Sequence, residues 1–161
     1  MPGIERTRML KVGDPVPEFA AETTDGKPIS AALLRGRTFV VFFFPRAYTP
    51  GCVREAKAFR DAYPGLRARG VEVVGVSTDP HATQCAFSEW AGLSYPMIGD
   101  SSCALARAFG VLWPLFSVTK RATFVFDGAG IVRAAFHFEV AIDRHLSEVH
   151  RALGAMDLVA V

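Results

Sequence analysis

Phe42-Phe43-Phe44-Pro45-Arg46-Ala47-Tyr48-Thr49-Pro50-Gly51-Cys52 decides the reading of this chain. An apolar run that starts at Thr38 ends in proline, and a helical pattern follows. A buried strand thus delivers a thiol to the first turn of a helix. Thr49 suits the N-cap, Pro50 the first helical position, and Cys52 falls third. Free backbone N–H groups and the positive end of the helix dipole favour thiolate over thiol at that place. Downstream, Ala56, Phe59, Tyr63 and Leu66 recur at helical spacing, so the helix continues to about Ala68 with one face on the core.

Outward from this stretch, strand and helix patterns alternate. Thr24-Asp25-Gly26-Lys27 reads as a hairpin turn. Ile29 to Gly36 reads as a short helix capped by Ser30 and stopped by Gly36. Val71 to Ser77 is a second buried strand. Thr78-Asp79-Pro80 opens a helix running to Ala91, with Thr83, Phe87, Trp90 and Ala91 as its inner stripe. Tyr95 to Ile98 is a short extended piece, and Asp100-Ser101-Ser102 begins a helix ending near Phe109. Ala122 to Phe126 and Ile131 to Phe138 form a hairpin about Asp127-Gly128-Ala129-Gly130, and Ala141 to Leu153 is a last helix. Parallel-type strands alternating with helices, closed by an antiparallel hairpin, predict an α/β fold of thioredoxin type. It would have a central mixed sheet flanked by helices and an N-terminal hairpin extension.

Length and composition fit one domain spanning residues 1–161, since 50% hydrophobic and 21% charged residues over 161 positions support a proper core. The net charge of +2 is small and both signs alternate, which argues against a nucleic-acid surface or a polybasic membrane anchor. No apolar run reaches membrane-spanning length, and Met1 to Lys11 lacks the apolar core of a secretory signal, so the reading is cytoplasmic. Three cysteines, Cys52, Cys85 and Cys103, are too few and odd in number for a secreted disulfide framework. There is no Cys-x-x-Cys and no zinc spacing.

Pro45-x-x-x-Thr49-x-x-Cys52 resembles the active-site pattern of peroxiredoxins, thiol peroxidases on a thioredoxin-like fold. The flanks, Phe44-Pro45, Thr49-Pro50-Gly51-Cys52, Glu55-Ala56 and Phe59-Arg60-Asp61, resemble the bacterioferritin-comigratory-protein, or PrxQ, branch. The resemblance runs from about Val12 to about Leu153 and implies one domain with its core there. It implies a nucleophilic Cys52, a Thr49 hydroxyl that bonds peroxide, and a Pro45 that covers the thiol. Lys120-Arg121-Ala122-Thr123-Phe124 resembles the family's Arg-x-Thr-Phe strand and implies Arg121 beside the thiolate. Glu55, one turn after Cys52, would hold Arg121 as an anion. Hydrogen peroxide and organic hydroperoxides would be substrates, with no metal, haem or flavin. Electrons would come from thioredoxin, glutaredoxin or a small thiol, to a monomer or homodimer.

The sulfenic acid formed on Cys52 must be reduced. Many members of the branch place a resolving cysteine five residues after the nucleophile; here that position is Lys57. Other members carry it on the helix after the second core strand, at a position matching Ser88. Cys85 lies one turn earlier, outside the predicted inner stripe, and is the candidate resolving thiol. Local unfolding would be needed to join it to Cys52. A one-cysteine enzyme served by an external thiol and a redox sensor without turnover are the alternatives. A cysteine hydrolase would need a histidine base beside Cys52, and no sequence feature supplies one. Cys103, expected in a helix's first turn where its pKa would be lowered, reads as structural. The four histidines read as surface or internally satisfied. Val111 to Phe116, apolar and broken by Pro114, either folds back on the core, forms an apolar rim to the site, or makes a dimer contact.

Overall fold

The computed structural model describes residues 8–159. The N-terminal hairpin is β1 (Ala20–Glu22) and β2 (Pro28–Ser30), antiparallel, turning at Gly26 with φ 78°. The central sheet holds β3 (Thr38–Phe43), β4 (Val71–Ser77), β5 (Met97–Gly99), β6 (Ala122–Phe126) and β7 (Val132–His137) in the order β5-β4-β3-β6-β7. Its β3–β4 and β4–β5 pairs are parallel, and β3–β6 and β6–β7 antiparallel. The helices are α1 (Ala31–Leu34), α2 (Pro50–Ala68), α3 (His81–Ala91), α4 (Ala104–Phe109) and α5 (Asp143–Val159). This is the expected mixed sheet of thioredoxin type.

The side-chain alternation of a strand divides the core in two. Val40, Phe42 and Phe44 pack with α2, α3 and α5, and Phe42 stacks on Phe59 at 4.3 Å between centroids. Phe39, Val41 and Phe43 face the other way, against Leu34 of α1 and Leu105, Ala106 and Phe109 of α4. Ala56, Phe59, Tyr63 and Leu66 are buried as their spacing predicts.

Several local expectations are corrected. Ile29 belongs to β2, and the short helix begins one residue after its cap, Ser30, whose hydroxyl accepts from Leu33 N–H at 3.1 Å. Thr78 does not cap α3; its hydroxyl donates to the Ser117 carbonyl at 2.6 Å, and Pro80 takes the cap position. The inner face of α3 is Gln84, Phe87, Ser88 and Ala91, while Trp90 is 60% exposed and lies outside it, against Tyr48 of the loop before α2 and Lys57 of α2. Cys103 is the N-cap residue of α4, with φ 63°, rather than part of its first turn. Burial and the nearby Asp100 raise its thiol pKa, the reverse of what a first-turn position implies.

Candidate active site

The antiparallel pairing of β3 with β6 builds the site. Phe43 pairs with Ala122, so Arg121 arrives beside the C-terminal end of β3, where the chain turns into α2. The β6–β7 pairing places Phe138 and Glu139 alongside: Phe138 N–H donates to Arg121 O at 3.2 Å. Arg121 N–H donates to Glu139 Oε2 at 2.8 Å, and Arg121 Nε to the Glu139 carbonyl at 3.2 Å. Backbone and stem are therefore clamped before the guanidinium reaches the thiol.

Cys52 is fully buried at the third position of α2. Arg121 Nη1 donates to its Sγ at 3.5 Å and to Glu55 Oε1 at 3.4 Å. Three of the six residues singled out from the sequence thus meet. Gly51 permits the approach, since a Cβ there would stand 3.2 Å from Arg121 Nη2 and 2.9 Å from Ile142 Cδ1.

Pro45 and Thr49 are half-buried in the loop before α2. Thr49 occupies the N-cap position but makes no side-chain cap; its hydroxyl donates to the Arg46 carbonyl at 2.8 Å. Asp79, which sequence reasoning missed as a site residue, holds this loop. Its Oδ2 accepts from Ala47 N–H at 2.8 Å and from the Ser77 hydroxyl at 2.6 Å. Tyr48 sits at φ 68°, a costly region for a bulky residue, and its ring packs on Phe87 and Trp90 at 5.1 and 5.3 Å.

His145 also lies at the site. It is fully buried in the first turn of α5, with Nδ1 2.8 Å from the Thr123 hydroxyl and Nε2 2.8 Å from the Phe138 carbonyl. Burial pushes its pKa down to about 4. Its Nε2 is 3.6 Å from Glu55 Oε2. Burial likewise raises Glu55, to about 8, against the pull of Arg121. The shift favours the carboxylic acid over the anion that the resemblance implies. The Arg121 contact survives, because a protonated carboxyl still accepts at one oxygen.

Cys85 is not brought to Cys52. On α3 it stands about 140° round the axis from Trp90, the residue that faces α2. Its Sγ is 3.4 Å from His81 Nε2 and 3.9 Å from the Thr24 carbonyl, on the hairpin side. Lys57 extends over the Trp90 ring, 5.3 Å from its centroid. All three cysteines are free thiols.

Beyond Arg121, Trp113 meets the His137 ring at 5.9 Å, and Lys120 lies over Trp113 at 5.2 Å. Leu115 and Phe116 are 101% and 68% exposed, so of the connection only its first residue, Val111, folds fully into the core. Among the described residues no group of three or more His, Cys, Asp or Glu side chains could hold a metal. Among them, too, no helix is long and apolar enough to cross a membrane.

The AhpC/TSA family profile matches residues 12–135. The chain is 32% identical over 145 residues to a chloroplastic peroxiredoxin Q of Suaeda salsa, covering 89% of this chain and 68% of that protein. The crystal structure of peroxidoxin BcpB from Mycobacterium tuberculosis superposes with a TM-score of 0.83 at 34% identity, covering 91% of this chain and 97% of that one. A Xanthomonas campestris bacterioferritin comigratory protein, solved in a study of its alkyl peroxide reduction, gives a TM-score of 0.79 at 27% identity over 89% of this chain and 99% of that one.

Proposed function

Because the chain belongs to the AhpC/TSA family and is a peroxiredoxin of the PrxQ type, a thiol-dependent peroxidase, we propose that Cys52 is the thiol that attacks peroxide. One observation carries the assignment: Arg121 Nη1 lies 3.5 Å from Sγ at the start of a helix. The thiolate attacks one peroxide oxygen, the S–O bond forms as the O–O bond breaks, and the other oxygen departs with negative charge. The Arg121 guanidinium, always protonated, faces both the sulfur and the region where that charge develops. Thr49 turns its hydroxyl from the Arg46 carbonyl to the peroxide, and Pro45 restricts water. The exposed Leu115 and Phe116, with Trp113, form an apolar rim suited to organic hydroperoxides beside hydrogen peroxide.

Cys85 then resolves the sulfenic acid as an intramolecular disulfide that thioredoxin or glutaredoxin reduces. A second reading is direct reduction by an external thiol, and the orientation of Cys85 toward Thr24 favours it. The first route requires the N-terminal turns of α3 to unwind. Residues 12–153 act as one domain, in the cytoplasm, as a monomer or homodimer.

Intact mass after one equivalent of hydrogen peroxide, on wild type, C52S and C85S, tests these assignments. Loss of two hydrogens dependent on both cysteines is the two-cysteine cycle. Gain of one oxygen on Cys52, unchanged in C85S, is the one-cysteine route. A wild-type Cys52 that remains unoxidised refutes the assignment of the nucleophile.

A further inference from the structure

Cys52, Arg121, Glu55 and His145 form a buried row, and one oxygen in it has no partner. Arg121 Nη1 reaches both Sγ and Glu55 Oε1, while Glu55 Oε2 is buried and accepts nothing. The imidazole nearest that oxygen is already committed. The Phe138 carbonyl can only accept, so His145 Nε2 carries the hydrogen, and Nδ1 accepts from Thr123. A neutral ring satisfies both bonds, which leaves no proton of His145 for Oε2.

The other polar groups around Glu55 do not supply one either. Glu139 is an acid whose carboxylate serves Arg121 N–H and His137, and it raises the Glu55 pKa further. Tyr95 gives its hydroxyl to the Ala56 carbonyl at 2.7 Å. An ionised Glu55 would place a second buried anion next to the thiolate, with one oxygen bare.

We propose that Glu55 is protonated while Cys52 is a thiolate and releases that proton when Cys52 is oxidised, matching the proton taken up by the departing peroxide oxygen. The proposal rests on Cys52 being the attacking thiol. Thiolate, hydroperoxide and carboxylic acid give sulfenic acid, alcohol (water, from hydrogen peroxide) and carboxylate. The sulfur loses an electron pair to the new S–O bond, the O–O bond breaks, and the one proton the leaving alkoxide takes is balanced by the one Glu55 releases.

Arg121 is the hinge of this exchange, as one cation shared by two acids. Before reaction the thiolate balances it and Glu55 stays neutral. Formation of the S–O bond removes the charge from sulfur and would leave the guanidinium buried without a close anion. Ionisation of Glu55, already in contact with the same nitrogen, restores the balance. The buried row keeps the same net charge on both sides of the step.

Infrared difference spectroscopy of the reduced protein, mixed with hydrogen peroxide at neutral pH, reads this directly. Dimedone labelling of Cys52 runs in parallel. The expected result is loss of one protonated-carboxyl band per chain and gain of carboxylate bands. Both changes should be absent in E55Q, and in C52S, which keeps Glu55 but cannot form the sulfenic acid. Labelled Cys52 with no carboxyl change in wild type overturns the proposal alone. Cys52 that is neither dimedone-labelled nor disulfide-linked after peroxide, in wild type and in C85S, overturns the assignment of the nucleophile and this proposal with it.

Discussion

Arg121 serves the thiol, a carboxyl and a backbone carbonyl with one side chain. Lysine has a single ammonium and cannot span those partners. R121K should slow the second-order oxidation of Cys52 by about 10²-fold, comparable to loss of one preorganised donor; stopped-flow fluorescence with hydrogen peroxide measures it. A rate within a few-fold of wild type would remove Arg121 from the chemistry. Glu55 and His145 also shape the dependence of stability on pH. Glu55 holds its proton in the fold to about pH 8 but in the unfolded chain only to about 4.5, so rising pH costs stability across that window. His145 is the opposite case: it binds a proton near pH 6.5 when unfolded and only near 4 when folded, so stability is lost as pH falls between them. The two slopes oppose each other from 4.5 to 6.5, and only that of Glu55 remains from 6.5 to 8. Urea titrations should therefore show E55Q gaining on wild type as pH rises through this upper window, by about 1.4 kcal/mol per pH unit. A constant difference between the two proteins would mean that Glu55 is ionised throughout.

At the scale of elements, the loop between β3 and α2 is held from outside itself. Asp79, just after β4, accepts the Ala47 N–H, and α3 supplies the rings against Tyr48. D79A leaves that amide without its partner and should cost about 1–3 kcal/mol in chemical denaturation. The same substitution should slow Cys52 oxidation more than it slows global refolding, since the loop carries Pro45 and Thr49. The connection from Val111 to Thr119 meets the end of β3, where the Thr119 hydroxyl donates to the Phe44 carbonyl at 2.9 Å. W113A should lower the rate with a bulky organic hydroperoxide several-fold relative to hydrogen peroxide; an unchanged ratio counts against an apolar rim. In the hairpin β1–β2, Thr24 faces Cys85. Helix geometry sets Cys85 on that flank of α3, about 140° from Trp90, so disulfide formation would need unwinding rather than a side-chain turn.

In the whole molecule, the sheet separates two apolar clusters, and β3 contributes to both through alternate residues. F42A removes a ring stacked on Phe59 beneath the site and should cost about 3–5 kcal/mol, read from urea unfolding. Probes of secondary structure and of Trp90 or Trp113 fluorescence should report one coincident transition if residues 12–153 are one domain. Much of this architecture was legible locally. The Thr38–Phe43 run, the hairpin turns at Gly26 and Asp127, and the stripe Ala56, Phe59, Tyr63, Leu66 each follow from side-chain period and turn chemistry within a few residues. Cys52 at the third position of α2 was legible for the same reason, and Arg121 through its resemblance to a family strand. Trp90 and Thr78 misled because their partners, the α2 start and the Ser117 carbonyl, lie far along the chain.

The sequence by itself therefore determined the strand and helix pattern, the helix-start cysteine and the residue types around it. Short-range hydrogen bonding and hydrophobic period act over a few residues and need no knowledge of the rest. Only the tertiary structure decided that Glu139 clamps Arg121, that Asp79 ties the loop at Ala47, and that His145 stands neutral beside an unpartnered Glu55 oxygen. Those facts depend on strand order and register, which set residues 18, 32 and 90 positions apart side by side. They depend too on burial, since removal from water moves Glu55 and His145 so far from their ordinary protonation.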